Sequence, residues 1–342
     1  MVYSLDRNPT FEEKNYLKGI GRNKVGKGNG FFYYYLKNNN PVTKDDLSRI
    51  IKLKIPPAWE KVWVSGDSKS PIQAIGYDQK KRKQYRYHES HIQNAEKEKF
   101  LRMYNFIKSI PKLDKIMKYH KNKHPYNKDR VITSMLFVVK KIHMRVGKEC
   151  YAKINKSYGV SSLKKTHVKI QGGRVTFRFK GKSNKRLSYT IVNKTLAHHI
   201  NLLKKLSGDK IFQYISEDDK IYRVTDKDLN EYIQLYMGKQ FTCKDFRTYA
   251  ANYYFVKSLL SETRDSVPNS AKKISQNISK ALKKTAFYLR HTKAISKKSY
   301  VMEFCVNLYE TNTEYFVKHK EDDPSSVLFK ILSIYRKKIL HI

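Results

Sequence analysis

Cysteine is nearly absent: Cys150, Cys243 and Cys305 are the only three in 342 residues, with no CxxC pair and no histidines at metal-ligand spacing. That excludes a disulfide framework and a structural zinc site, and it fits a reducing compartment. Acidic residues are scarce as well, 30 against 71 lysines and arginines, for a formal charge of +41. The cations run along the whole chain rather than gathering in a tail, so the free protein repels itself and calls for a polyanionic partner. No apolar run approaches the roughly 18 residues a spanning helix needs. The opening residues MVYSLDRNPT hold no signal-peptide core. A membrane surface is therefore disfavoured as the polyanion, leaving nucleic acid and the expectation of an intracellular, non-secreted protein.

A chain of this length exceeds one comfortable core, and two domains are expected. Residues 1–88 read as short β-rich runs, "GFFYYYLKNN", "KVWVSGD", "SPIQAIGYD" and "KQYRYH", bounded by turn residues and interrupted by one helix near Asp45 to Leu53. From Glu89 the pattern lengthens into helical stretches. Ile274, Ile278, Ala281 and Leu282 recur at helical spacing; Leu229, Ile233 and Tyr236 share a face behind a Thr225 N-cap. A three-stranded β island, "THVKIQGGRVTFRFKGKSNKRLSYTIV", breaks this second part. Its middle strand points Val175, Phe177 and Phe179 one way and Arg174, Thr176, Arg178 and Lys180 the other. The fold class is α+β: a small β-rich N-terminal domain, 1–88, and a larger mainly helical domain, 89–342.

The run "GIGRNKVGKGNG" comes close to a phosphate-binding loop. However, Gly28 stands where a magnesium-binding Ser or Thr is required and no buried strand precedes it, so it reads as a flexible basic loop. The adjacent pair His198 and His199 faces two directions on a helix, which argues against a metal site. In "DQKKRKQYRYH" cations alternate with Gln84, Tyr85 and Tyr87. A strand would place Arg82, Gln84 and Arg86 on one face and Lys83, Tyr85 and Tyr87 on the other. Two readings fit this segment equally: contacts to phosphates and base edges, or an edge strand protected by lysines. Tyr300, one of 26 tyrosines, reads locally as a core phenol.

Six blocks occur in a particular order: "IPPAWEKVWVS", "PIQAIGYDQKKRKQYRYH", "MRVGKECYAKINKSYGVSSLKKTHV", "FRFKGKSNK", "KDFRTYAANYYF" and "LRHTKAISKKSY". Together, over residues 55–300, they resemble the poxvirus and bacterial type IB DNA topoisomerases, most closely the small viral enzymes, those of giant DNA viruses included. The resemblance implies a catalytic domain of the tyrosine recombinase and topoisomerase IB type, closing with the N-terminal domain as a clamp around duplex DNA. It implies Tyr300 as nucleophile, with Arg145, Lys182, Arg247 and His291 as activating residues and Lys244 and Asn252 assisting near the scissile phosphate. Lys148 and Tyr151 match a helix that enters the major groove. Arg82, Gln84, Tyr85 and Tyr87 match DNA contacts, which favours binding over the edge-strand reading. Two positions depart from the pattern: Arg290 stands where many relatives have Gly, and Lys298 where Arg is common.

The implied chemistry is transesterification. A phenol attacks the phosphodiester and conserves its energy as a 3′-phosphotyrosine, so resealing needs no ATP. Arginines and a histidine donate to the nonbridging oxygens in place of a divalent metal, and a lysine protonates the departing 5′ oxygen. No cofactor and no metal are expected, the partner is double-stranded DNA, and the protein is expected to be a monomer. For a viral protein the expected place is the cytoplasmic replication site, with the virion as a second location. Tyrosine recombinases share this chemistry but typically carry H-x-x-R where this chain has Lys244-Asp245-Phe246-Arg247, and they lack the first two blocks. A non-catalytic nucleic-acid-binding relative would be expected to have lost one of the five reacting residues, and all five are present.

Overall fold

The computed structural model describes residues 15–26 and 30–340. The opening ten residues and residues 27–29 of the glycine-rich run lie outside them. The chain separates into two compact units, one ending at Glu98 and the other beginning at Lys99.

The first unit is an antiparallel sheet of five strands in the order β2-β1-β3-β4-β5: β1 (Gly19–Val25), β2 (Gly30–Tyr35), β3 (Glu60–Ser65), β4 (Ile72–Tyr77) and β5 (Lys83–Tyr87). Helix α1 (Lys44–Lys52) follows β2, capped by the Thr43 side chain, which accepts from the Asp46 N–H. The core is Ile20, Ile50, Val62, Val64 and Ala74. One expectation is corrected here. Gly19–Val25, read as part of a flexible loop, is an interior strand paired on both sides. Its glycines are packing devices: a Cβ on Gly19 would lie 2.0 Å from Trp63 Nε1, and one on Gly21 2.5 Å from Tyr34 Cζ.

Helix α2 (Glu89–His120) carries the chain across the boundary, with Pro111 inside it. The second unit continues with α3 (Lys128–Ile142), α4 (Glu149–Asn155), strands β6 (Val168–Gln171), β7 (Arg174–Lys180) and β8 (Arg186–Val192), and α5 (Lys194–Lys204). A two-stranded ribbon follows, β9 (Gln213–Ile215) with β10 (Ile221–Arg223), then α6 (Asp226–Met237), α7 (Cys243–Asp265) and α8 (Ala271–Leu289). The chain then passes through two tight turns into α9 (Glu303–Thr311), α10 (Thr313–Lys318) and α11 (Pro324–Leu340). The β island has the order β6-β7-β8, with Val175, Phe177 and Phe179 buried. The ribbon β9-β10 carries no strong alternation and escaped the sequence reading.

Helix α7 is the axis of this unit: Phe246, Ala250, Ala251, Phe255, Val256 and Leu259 bury along it, which a stripe at helical spacing dictates. Helix α11 seals the unit through fully buried Val327, Leu328, Ile331 and Leu332, while Tyr335 stacks on Phe304 at 3.9 Å. His199 is also structural, its two ring nitrogens bonded to Ser134 Oγ and to the Pro125 carbonyl, each at 2.7 Å.

Candidate active site

Four separate loops and helix ends of the second unit converge on one cleft of about 300 Å³, lined by Arg145, Lys182, Lys185, Lys244, Arg290, His291 and Tyr300, with Ser183, Ile295 and Ser299. No carboxylate lines it. Such a cleft repels cations and attracts anions.

Arg145 sits between α3 and α4. His143 ends α3 in the left-handed region (φ 54), turning the chain abruptly. Two carbonyls of this loop, those of Arg145 and Val146, then accept from the N–H groups of Val160 and Ser161, both at 2.9 Å. Gly147 and Gly159 lie back to back here. Gly147 has φ +77, and a Cβ on it would come within 2.5 Å of Gly159 N. Gly147→Ala therefore combines a left-handed strain with a backbone clash and should cost about 1–3 kcal/mol. Thermal unfolding checks the cost, and the displaced Arg145 should lower activity beyond it.

Lys182 follows β7 at the tip of the β7–β8 hairpin, exposed, in a turn that needs left-handed Ser183 (φ 61) and Asn184 (φ 59). Lys244 and Arg247 belong to the first turn of α7. That turn is fixed by a capping box between Thr242 and Asp245. Arg102 of α2 reaches the same carboxylate at 2.5 Å. Arg247 is 3% exposed. Its Nη1 donates to the His143 carbonyl and its Nη2 to the Leu289 carbonyl at 2.9 Å, while Nε is buried without a partner. Two carbonyls thus fix the plane of the guanidinium, a further hydrogen bond joins it to the Tyr300 phenol, and the Nε–H remains an unused donor.

Tyr300 ends a π-turn, Ser296–Tyr300, a local form often found at functional sites. The Arg247 Cζ lies 5.5 Å from its ring centroid, and the His291 ring meets it edge-on at 5.0 Å. Burial pushes the phenol up, but the charges of Arg247, Arg145 and Lys244 outweigh it and hold Tyr300 below its usual value of 10. His291 is pushed down to about 4, by burial first and then by Arg247, Arg145 and Lys185. Its Nδ1 is buried without a partner.

Asn252, one turn and a half along α7 from Arg247, is fully buried and does not line the cleft. Its Nδ2 donates to the Tyr300 carbonyl at 3.1 Å and its Oδ1 accepts from the Met302 N–H at 2.9 Å. It grips the backbone on which Tyr300 stands. Sequence reading missed Lys185 as a cleft residue, for which its neighbour Lys182 was the available signal, and marked Arg290 only as a departure from the family pattern; both line the cleft.

The residues matched to DNA contacts lie elsewhere. On α4, Lys148 holds the N-cap position and Tyr151 is 54% exposed, while Glu149 between them is tied to Lys210 at 2.9 Å and Arg223 at 2.8 Å. In the first unit, on edge strand β5, Tyr85 and Tyr87 stack at 5.8 Å on one exposed face. Asp78 holds Arg82 at 2.6 Å and Gln84 at 3.1 Å.

Three histidines, His143, His199 and His291, are each lowered to about 4, burial being the first cause in every case. The unfolded chain, titrating near 6.5, therefore binds protons that the folded chain refuses between pH 6.5 and 4. Stability is full above 6.5 and declines as pH falls through that window. Urea midpoints at pH 7.5 and 5 check this: the midpoint should drop well before carboxylates begin to protonate.

A nearly buried phenol ringed by cationic donors, with no acid lining the cleft, makes a site with the charge to bind an anion such as a phosphodiester and with a hydroxyl at its edge. The comparisons fit such a site. Residues 81–322 match the eukaryotic DNA topoisomerase I catalytic core and residues 30–78 the bacterial DNA topoisomerase IB N-terminal domain. The chain is 56% identical over 335 residues to DNA topoisomerase 1B of Acanthamoeba polyphaga mimivirus, covering 97% of this chain and 99% of that one. It is 27% identical over 276 residues to DNA topoisomerase 1B of vaccinia virus strain Copenhagen, covering 77% and 82%. The chain belongs to the type IB DNA topoisomerases.

Proposed function

We propose that this enzyme relaxes duplex DNA through a covalent bond to Tyr300. The observation that carries the reading is the convergence of Arg145, Lys182, His291 and Tyr300 on one carboxylate-free cleft over buried Arg247. The Tyr300 oxygen attacks the phosphorus, and a new O–P bond forms as the bond to the 5′ oxygen breaks. The phenol proton leaves to water, which the surrounding cations favour by lowering the phenol's proton affinity. Arg145 and Arg247 hold the nonbridging oxygens through charged N–H groups. His291 is neutral in the free enzyme and donates one N–H; a bound phosphodiester offsets the cations that depress it. Lys182, on the hairpin tip, protonates the departing 5′ oxygen. Lys244 adds charge near the phosphate, and Asn252 positions Tyr300 through the backbone.

Reversal of these steps reseals the strand, because the phosphotyrosyl bond keeps the energy of the one it replaced. Between cleavage and resealing the free 5′ end rotates and superhelical torsion falls. The two units form a clamp around the duplex: Arg82, Gln84, Tyr85 and Tyr87 contact DNA from the first unit, and Lys148 and Tyr151 read the major groove from the second. Phosphate contact would release Arg82 from Asp78. The enzyme works as an intracellular monomer, and the viral relatives favour replicating viral DNA as substrate.

Supercoiled plasmid incubated with excess chelator and no nucleotide tests the reading. Full relaxation is expected. Relaxation that stops on chelation, or that requires ATP, contradicts it.

A further inference from the structure

Arg290 ends α8 with φ 54 and ψ 48, a left-handed conformation in which a side chain carries a steric cost that glycine does not. Its backbone N–H closes the helix by donating to the Ala286 and Phe287 carbonyls, and glycine would do that equally well. Ten described residues other than glycine have positive φ, and of these only Ser183 and Arg290 line the cleft. The Arg290 side chain is exposed, with its Cζ 5.0 Å from the Phe287 ring centroid and 5.9 Å from that of Tyr189. Tyr189 belongs to β8, so the guanidinium spans from the His291 segment to the hairpin that carries Lys182. No carboxylate in the cleft neutralises it.

We propose that Arg290 is a phosphate-binding residue that holds the phosphodiester next to the attacked one, on the cleaved strand. The attacked phosphate already has donors for its two nonbridging oxygens in Arg145, Arg247 and His291. Arg247 lies buried at the floor and Arg290 exposed at the rim, where the strand continues past the reacting atom. The two aromatic rings hold the guanidinium flat and leave its edge N–H groups available for a bidentate phosphate contact. The proposal rests on the reading of Tyr300 as the attacking group.

The test uses the full chain in a Tyr300→Phe background, so that binding is read without cleavage. Adding Arg290→Gly, which the left-handed backbone accepts, should make the plot of log affinity against log salt shallower by about 0.9 and weaken binding roughly eight-fold at about 0.1 M salt, the effect of one lost phosphate contact. Arg290→Lys should restore the slope. A duplex with one methylphosphonate next to the cleavage site should bind the arginine protein about as weakly as normal DNA binds the glycine variant, with no further loss when both changes are combined. An unchanged slope and affinity in Arg290→Gly, or losses that add at every flanking phosphate, overturns the proposal. Separately, if the unmodified chain forms no tyrosyl adduct, the reading of Tyr300 fails, and that outcome is distinct because the binding slopes do not depend on cleavage.

Discussion

Tyr300→Phe is expected to bind duplex DNA with the affinity and salt dependence of the parent chain and to relax none of it. The substitution removes one oxygen and keeps the ring, so the edge-on contact with His291 at 5.0 Å and the Arg247 group at 5.5 Å keep their places. The Asn252 contacts are to backbone and do not involve the phenol. Folding should be unchanged, while loss of the nucleophile should lower the rate by at least about 10⁴-fold, the scale seen when a covalent nucleophile is deleted. Plasmid relaxation together with filter binding over a salt series checks both halves. A Phe variant that still relaxes DNA would remove Tyr300 from the mechanism.

Arg247→Lys carries the second-largest expected effect. Charge is kept, yet a lysine cannot present a planar fork to the His143 and Leu289 carbonyls and still offer a donor to the phosphate. Single-turnover cleavage should slow on the order of 10²–10³-fold, the loss typical for one transition-state donor, with DNA affinity altered only a few-fold. Tyr300 should also ionise less readily, because the hydrogen bond from the Arg247 guanidinium, which helps its charge lower the phenol, is lost when lysine stands there. The rate should consequently recover part of its loss as pH rises. A pH–rate profile of the variant against the parent measures this, and parallel profiles would show that Arg247 acts on the phosphate alone.

What the sequence revealed and what it hid divide along physical lines. Elements with strong periodicity were legible: the β island with Val175, Phe177 and Phe179 turned inward, the Thr225 cap, and the buried stripe of α8. Strand β1 was hidden because Gly19 and Gly21, which locally signal a loop, are there to admit Trp63 and Tyr34 across the sheet. The ribbon β9-β10 was hidden because strands of three residues show no period. Convergence of the site was invisible to any local pattern. Arg145, Lys182, Arg247, His291 and Tyr300 lie on separate turns, and spacing along the chain does not say which turns meet. Family resemblance named these residues, and packing around α7 gives the resemblance its physical basis: His143 hands its carbonyl to Arg247, and Asn252 holds the backbone of Tyr300. The resemblance set Asn252 beside Lys244 as assisting near the scissile phosphate; that its side chain is bonded to the backbone of Tyr300 and Met302 is visible only in the fold.

The most direct measurement is capture of the intermediate. A duplex nicked just downstream of the cleavage site loses its short 5′-hydroxyl fragment and cannot reseal, so the adduct accumulates. Denaturation and protease digestion should then yield one peptide, joined through Tyr300 to the 3′ phosphate of the cut strand, in the presence of chelator. A bond to the 5′ end, to any other residue, or cleavage with no covalent protein at all would contradict the account.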